Sequence, residues 1–399
     1  MVIPPPPAAV RWLRNVRLPE PEPGSHGSSR RWRVGVGVGD NDHVAAVAPI
    51  PAGSHASGED WRGDWLSPAG VDLQINGGLG LAFPELVPDD LPRLRELLAL
   101  LWDDGVEAIC PTLVTCAVAP LRQALEVLAL ARAEHRPGRC RLLGAHLEGP
   151  FLAPERRGAH PLEHLAAPDP AALEQRIGGF RGGPEADIAL MTLAPELEGA
   201  NAVIAALGER NVVVSLGHST ADEAQAAQAY ASGVAMVTHA FNAMPDMHRR
   251  APGPVAAAAF RGDVALGLIA DGVHVAPTMA VLLQRLAPEQ VVIVSDALAP
   301  YGLAEGVHRW DQRPLIVKGG SCRLEDGTLA GVTLPLLEGV VRLARWSGAP
   351  GRAIAAATVL PRRVLGERRA VPDLLIGRPL GELLRWHEGP DGLRWQRAA

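Results

Sequence analysis

VVVSLGHS, residues 212–219, is one of four short apolar runs between Arg141 and Ala297 that decide the fold class. Each run ends at a polar residue that can bind a metal or carry a proton. The other three are RLLGAHLEGP (141–150), MVTHAFN (236–242) and VVIVSDA (291–297). Runs of this length between Gly, Ser or Pro are typical of fully buried strands. Because a polar group at the end of a buried strand needs a partner, we expect the four ends to form one site.

A repeated strand and helix pattern surrounds these runs. Amphipathic helical patterns separate most of the apolar runs, and Ser219 and Thr220 with Asp222 and Glu223 predict a capped helix start. Because the polar strand ends are spread over many strands, we predict a TIM-type (β/α)8 barrel of the α/β class rather than an open sheet. The predicted strands are VDLQING (71–77), VEAICPTLV (106–114), LLGAHLEG (142–149), ADIALMTLAP (186–195), VVVSLGH (212–218), MVTHAFN (236–242), VALGLIADG (264–272) and VVIVSDA (291–297).

Both termini contain short strand-like pieces that are too small to bury a core alone. We therefore predict a small, sandwich-like β domain built from residues 1–66 and the end of the chain. Residues 67–313 would form the metal-dependent barrel, and 314–399 would add barrel-closing helices and the rest of the small domain. The series Gly35, Gly37 and Gly39 favours a strand over a phosphate loop, because no helical pattern follows it.

Composition excludes several classes of function. The 399 residues carry a formal charge of -6 and show no basic cluster, so no nucleic-acid partner is expected. The four cysteines form no CxxC pair, which favours a reducing, cytoplasmic location. No apolar run approaches the ~20 residues that cross a bilayer, and no signal segment begins the chain, so we expect no membrane partner.

The strand ends supply the side chains of a metal site. In a parallel barrel, Glu148, His218, His239, His274 and Asp296 should converge on one mouth. Two imidazoles and a carboxylate are a common ligand set for catalytic zinc, and the aspartate could then move a proton. Any single histidine could instead be a hydrogen-bonded structural residue, but the whole set indicates metal binding.

Other polar residues lie near the predicted mouth. Gln74 and Asn76 share one face of the first strand and could contact substrate or cap the loop. Asn242, the backbone around Ala243, and Arg250 suit an anion such as phosphate, although a solvated loop arginine is equally compatible with the spacing. His160 is open to the same two interpretations.

Together the motifs resemble those of the N-acetylglucosamine-6-phosphate deacetylase family of the amidohydrolase superfamily. The matching pieces run in order from about residue 70 to 331: VDLQINGG, HLEGPFL with RRGAH, SLGHS, THAFNAMP with RRAPG, IADGVH, VSDA and GTLAG. The resemblance implies metal-dependent hydrolysis of an N-acetylated sugar phosphate in amino-sugar catabolism. It also implies a homodimer.

The resemblance further implies a role for each matching residue. Gln74 and Asn76 replace the His-x-His that many amidohydrolases carry, which implies one divalent ion, preferably zinc. A different amide substrate, such as N-acetylgalactosamine 6-phosphate, and a silent sugar-phosphate sensor remain as alternatives. By this resemblance the metal ligands are Glu148, His218 and His239, the acid/base is Asp296, and the substrate contacts are His160, His274, Asn242, Ala243, Arg250 and Leu329.

Overall fold

A computed structural model describes residues 10–19, 30–38, 42–51, 53–54, 56–311 and 313–399 of the chain. The proline-rich start, residues 4–7, and Gly39 of the glycine series lie outside the described residues. Gly35 and Gly37 lie in the strand Trp32–Gly37, as the sequence predicted.

Eight parallel strands form a nearly closed barrel, in which each strand pairs with the next along the chain. Backbone hydrogen bonds complete the ring, from Asp296 N to Gln74 O at 2.8 Å and from Asn76 N to Ala297 O at 2.7 Å. All eight predicted strands are confirmed. They are β1 Gly70–Ile75, β2 Val106–Val114, β3 Ala145–Glu148, β4 Ile188–Leu193, β5 Val213–Leu216, β6 Val234–Val237, β7 Ala265–Leu268 and β8 Val291–Ile293.

Helices cover the outside of the barrel. Seven lie between successive strands, and one follows β8 after an intervening sheet. The sequence patterns did not identify α3, which has only eight residues, or α6, in which four of the nine residues are alanine. The helices are α1 Leu91–Asp103, α2 Val118–Ala133, α3 Pro170–Ile177, α4 Ala200–Glu209, α5 Glu223–Ala231, α6 Gly253–Arg261, α7 Pro277–Leu286 and α8 Leu336–Ser347.

The helix α1 shows why these segments pack as they do. Leu94, Leu97, Leu98 and Leu101 are spaced three or four residues apart, so they share one face and are buried against the sheet. Burying a leucine side chain contributes about 1.5–3 kcal/mol, so this face fixes the helix on the barrel.

The start of α5 differs from the sequence prediction. Its cap is Asp222, whose side chain accepts from the N–H of Gln225, while the Gln225 side chain accepts from the N–H of Asp222. Ser219 and Thr220 do not cap the helix, because both hydroxyls donate to Glu196. The glutamate lies far away in sequence, so the local pattern could not reveal it.

The two chain ends meet in the predicted small β domain. One antiparallel sheet joins Trp65–Ser67 to two strands from the end of the chain, Leu384–Gly389 and Gly392–Arg397. A second sheet orders the strands His43–Pro49, Trp32–Gly37, Val10–Val16 and Glu59–Asp60. Its apolar side packs against the helix Val371–Leu375. The boundaries after residues 66 and 313 stay predictions.

A further antiparallel sheet follows β8 and lies beside the mouth of the barrel. Its buried side chains pack against Leu298 and Ala159, which extend from the barrel loops. Two helices, Pro350–Thr358 and Leu360–Val364, then follow α8. The strands of the sheet are Gly306–Trp310, Arg313–Lys318, Ser321–Leu324 and Leu329–Val332.

None of the helices in the described ranges is both long and apolar enough to cross a membrane. All four cysteines are free thiols, and Cys110, Cys140 and Cys322 are buried.

Candidate metal centre and substrate cavity

The predicted site residues lie at the carboxyl ends of the barrel strands. Glu148 is the last residue of β3, His218 and His239 follow β5 and β6 by two residues, and Asp296 follows β8 by three. Three of them have a left-handed backbone, with φ of 48° at His218, 30° at His239 and 51° at Asp296. Such conformations are costly for residues other than glycine and cluster at functional sites.

Three donor atoms meet at one point of the mouth. The Nε2 atoms of His218 and His239 are 3.0 Å apart, and Glu148 Oε1 lies 3.4 Å from the first and 3.2 Å from the second. Donors about 2.0–2.1 Å from a tetrahedral ion lie ~3.3 Å from one another. The spacing of the three atoms therefore suits a single divalent ion.

The hydrogen bonding of His218 also fits a metal ligand. The Nδ1–H of His218 donates to the carbonyl oxygen of Arg156 at 2.8 Å, which leaves the lone pair of Nε2 facing the other donors. Metal-bound histidines are commonly fixed by a donation of this kind. Without an ion, two imidazole nitrogens and a buried carboxylate would face one another with few protons between them, so the donor set fits a divalent cation.

His160 lies beside the same carboxylate. One possible ligand atom from each of Glu148, His160 and His218 lies within 4.8 Å of the other two. These three residues are therefore an alternative set of ligands. We favour His239 over His160 as the third ligand, because His160 Nε2 is 3.8 Å from Glu148 Oε2 and so lies at the wider spacing. The Nδ1 of His160 is held by the Thr115 hydroxyl at 3.0 Å.

Asp296 is oriented by two amides. Its Oδ1 accepts from Asn76 Nδ2 at 2.8 Å and from Gln74 Nε2 at 3.2 Å, and Gln74 Nε2 also donates to Glu148 Oε1 at 3.1 Å. Burial, followed by the charge of Glu148, raises the pKa of Asp296 to about 8. A bound cation would act in the opposite direction. The two amides thus hold the Asp296 carboxyl group beside Glu148, where it can exchange a proton with a bound molecule.

His274 follows β7 and lines the same cavity. Its Nδ1 is 2.7 Å from Asp271 Oδ2, and Asp271 Oδ1 accepts from the N–H groups of Val273 and His274. Burial alone would raise the pKa of Asp271, but these contacts with His274 hold it below its ordinary value. The ionised aspartate fixes the imidazole ring in place.

A belt of polar side chains crosses the barrel beneath the donors. We call Thr112, His146, Thr192, Ser215 and Thr238 the polar belt. It runs from Thr112 Oγ1 to His146 Nδ1 at 3.2 Å and from His146 Nε2 to Thr192 Oγ1 at 2.7 Å. It continues to Thr238 Oγ1 at 2.7 Å and to Ser215 Oγ at 2.6 Å. Burial lowers the pKa of His146 to about 4, so its imidazole is neutral within the belt.

A cavity of about 310 Å³ opens above the donors. Most of the predicted site residues line it: Asn76, Glu148, His160, His218, His239, Asn242, Ala243, His274, Asp296 and Leu329. Gln74 lies beneath it and reaches the site through its hydrogen bonds. Arg250 does not line the cavity, because it is exposed on the loop after β6.

Sequence reasoning missed several residues of the cavity wall. Trp310 and Ala330 come from the sheet that follows β8, and Leu298 and Ile269 come from loops after the strands. Apolar residues carry no chemical signature, so no sequence signal identified them. Thr115 was detectable in principle, because it follows directly on the predicted strand β2.

Curated relatives and solved structures agree on one family. Over 328 residues the chain is 34% identical to N-acetylglucosamine-6-phosphate deacetylase of Homo sapiens, a match that covers 80% of this chain and 78% of the relative. It is also 34% identical over 336 residues to N-acetylgalactosamine-6-phosphate deacetylase of Escherichia coli O157:H7, covering 84% and 86%. No protein-family model matches the chain.

Solved structures extend the similarity to the whole fold. N-acetyl-D-glucosamine-6-phosphate deacetylase from Mycobacterium smegmatis, in complex with N-acetyl-D-glucosamine-6-phosphate, superposes with a TM-score of 0.76 at 28% identity and covers 98% of both chains. The enzyme of that name from Thermotoga maritima gives 0.76 at 26% identity, covering 94% of this chain and 95% of that one.

Proposed function

We propose a function for this chain from the family to which it belongs, the N-acetylglucosamine-6-phosphate deacetylases of the amidohydrolase superfamily. It hydrolyses the acetamide of N-acetyl-D-glucosamine 6-phosphate to D-glucosamine 6-phosphate and acetate, in amino-sugar catabolism. The observation that carries this proposal is the triangle of Glu148, His218 and His239 donors, 3.0 to 3.4 Å apart, beside the carboxyl group of Asp296.

Glu148, His218 and His239 would hold one divalent ion, preferably zinc, because two imidazoles and a carboxylate are typical ligands of that metal. When bound, such an ion supplies Lewis acidity, which lowers the pKa of a water ligand and polarises an amide carbonyl. Gln74 stands where a further histidine ligand would be needed, so a single ion is proposed.

Asp296 acts as the general base and then as the general acid. The amides of Asn76 and Gln74 hold its Oδ1 and leave Oδ2 to accept a proton from the attacking water. The same carboxyl then protonates the departing amine. His160 or His274 donates to the oxyanion, since both line the cavity.

The remaining residues recognise the substrate. Asn242 and Ala243 lie on the left-handed turn after His239, where backbone N–H groups and amides suit phosphate. Arg250 follows on the same loop and would contribute its charge once the loop closes on the phosphate. Leu329 contacts the acetyl methyl group.

The experiment that tests the proposed function compares acetate release from N-acetylglucosamine 6-phosphate and from N-acetylglucosamine. We expect the unphosphorylated sugar to react slower by several orders of magnitude, because the polar groups built for phosphate would be left unpaired. Equal rates on both sugars would contradict phosphate recognition. No acetate from either, in metal-replete enzyme, would contradict deacetylation.

N-acetylgalactosamine 6-phosphate is a second candidate substrate. The relative of that name is as similar to the chain, at 34% identity, as the glucosamine enzyme is. The two sugars differ only in the orientation of one hydroxyl. Parallel kcat/KM measurements on both epimers separate them.

The assembly and location belong to the same proposal. The family to which the chain belongs supports a homodimer. Phe260, which is 96% exposed on α6, is an apolar side chain that such an interface would cover. Light scattering of the purified chain should give twice the monomer mass of 42.1 kDa.

The four free thiols support a reducing, cytoplasmic location.

A further inference from the structure

A second cavity opens at the other end of the barrel, and we call it the basal cavity. Val71 and Ala108 near the starts of β1 and β2 line it, as do Leu143 before β3 and Asn211 before β5. It therefore lies at the amino ends of the strands, opposite the metal donors. Its volume of about 1150 Å³ exceeds that of the substrate cavity and is sufficient for a small-molecule ligand.

The wall of the basal cavity is strongly charged and has an excess of positive groups. Six arginines line it against four glutamates, whereas the whole chain carries a formal charge of -6. His135 adds a titratable imidazole. The arginines are Arg139, Arg141, Arg362, Arg368, Arg369 and Arg378, and the glutamates are Glu107, Glu185, Glu367 and Glu382.

Glu107 anchors the floor of the basal cavity. Its carboxylate is buried between Arg362 Nη2 at 2.5 Å and Arg378 Nη2 at 2.6 Å. Burial would raise the pKa of Glu107, but the two guanidinium groups override it and hold the pKa at about 2. The single carboxylate of Glu107 is thus shared by two positive groups, and it is not available to pair with another arginine.

The other glutamates of the wall are also paired. Glu185 lies 3.4 Å from Arg141, and Glu382 lies 3.5 Å from Arg378. Glu367 binds Arg369 directly. No glutamate of the wall is therefore left to neutralise the remaining arginines.

Arg139 and Arg368 are the two arginines left over. Within the described part of the chain, neither side chain has a hydrogen bond, an ion pair or a ring contact, although Arg139 is half-buried. The two guanidinium groups can thus turn towards a ligand without first breaking an ion pair.

We propose that the basal cavity is a second ligand site that binds a phosphorylated small molecule, with Arg139 and Arg368 as the phosphate-binding residues. A guanidinium group presents paired N–H donors that match two oxygens of a phosphate. Two unpaired arginines balance a phosphate that carries close to two negative charges at neutral pH. The volume of the cavity leaves room for the rest of a sugar bisphosphate.

Titration calorimetry of the metal-loaded full chain with fructose 1,6-bisphosphate tests this site. Arg139→Gln with Arg368→Gln should weaken binding about tenfold or more, because two charge-assisted contacts are lost. The matched control is Arg285→Gln with Arg345→Gln, which removes two exposed arginines that do not line the cavity. The control should bind as the unchanged chain does.

Two results would overturn the proposal. One is no binding by the unchanged chain in the millimolar range. The other is equal binding by both double variants, which would place the anion elsewhere. Acetate release without added bisphosphate should be unchanged in Arg139→Gln with Arg368→Gln. That readout shows that the variant is folded, and it separates this test from that of the proposed function.

Discussion

At the scale of single residues, Asp296 is the side chain on which turnover depends most directly. Asp296→Asn keeps the shape of the side chain and one acceptor for Asn76, but removes the proton acceptor. We expect kcat for acetate release to fall by about 10²–10⁴, with little change in melting temperature. Near-normal turnover in the variant would show that another group moves the proton.

Gln74 gives a second prediction at this scale. Its Nε2 bridges Glu148 and Asp296, and its Oε1 has no hydrogen-bond partner. Gln74→Leu removes the hydrogen-bond donor that holds both carboxylates in place. We therefore expect the variant to lower kcat more than it changes KM. The outcome is measured by steady-state kinetics on N-acetylglucosamine 6-phosphate, and an effect confined to KM would assign Gln74 to substrate binding alone.

At the scale of elements, the polar belt ties neighbouring strands together below the metal donors. Thr192→Val removes the hydroxyl that joins His146 to Thr238 while keeping the shape of the side chain. We expect the free energy of unfolding, measured in urea, to fall by about 1–3 kcal/mol. The reason is that the buried polar groups of His146 and Thr238 lose a hydrogen-bond partner. Thr278→Val, at an exposed position of α7, should change stability by less than about 0.5 kcal/mol.

A loss of stability in Thr192→Val no larger than that of the control would mean that the polar belt contributes nothing to stability.

The polar belt also shows what sequence reasoning can and cannot find. Every strand of the barrel and the convergence of its polar ends were predictable, because buried runs and their terminal residues are local features. The partners inside the belt come from different strands, so only the register of the barrel reveals that His146 reaches Thr192.

The same limit applies to the wall of the site. Sequence reasoning did not identify the strand Gly306–Trp310 or the position of its sheet over the mouth. That position brings Trp310 and Ala330 to the cavity and depends on packing against Leu298. Likewise, Ser219 and Thr220 do not cap α5, because Glu196 from another loop accepts their hydroxyl protons and Asp222 caps the helix instead. Contacts between distant segments set these features, and a single sequence does not display them.

At the scale of the whole molecule, a buried carboxyl group lies where the barrel closes. Asp72 Oδ1 on β1 accepts from the N–H groups of Gln74 and Ser295, each at 3.2 Å, and so connects β1 with the segment after β8. Burial raises the pKa of Asp72 from 3.8 to about 7. The folded state thus favours the neutral acid, and Asp72 destabilises the fold increasingly as the pH rises from about 4 to about 7.

Asp72→Asn should remove this pH dependence while keeping the acceptor oxygen. We expect equal stability of variant and parent near pH 4 and a more stable variant above pH 7, by an amount on the order of 4 kcal/mol. Denaturant unfolding across this range measures the difference. Asp89→Asn, at an exposed position, is the control and should show no such trend. A difference that does not grow with pH would contradict an ionised Asp72 as the cause.

The arrangement of the whole barrel serves to bring three distant donors to one point. The metal content of the purified chain, measured by elemental analysis, tests this most directly. We predict about one divalent ion per chain, and close to none after His218→Ala with His239→Ala in a protein that remains folded. A metal-free parent chain, or an ion that stays bound in that double variant, would contradict the account.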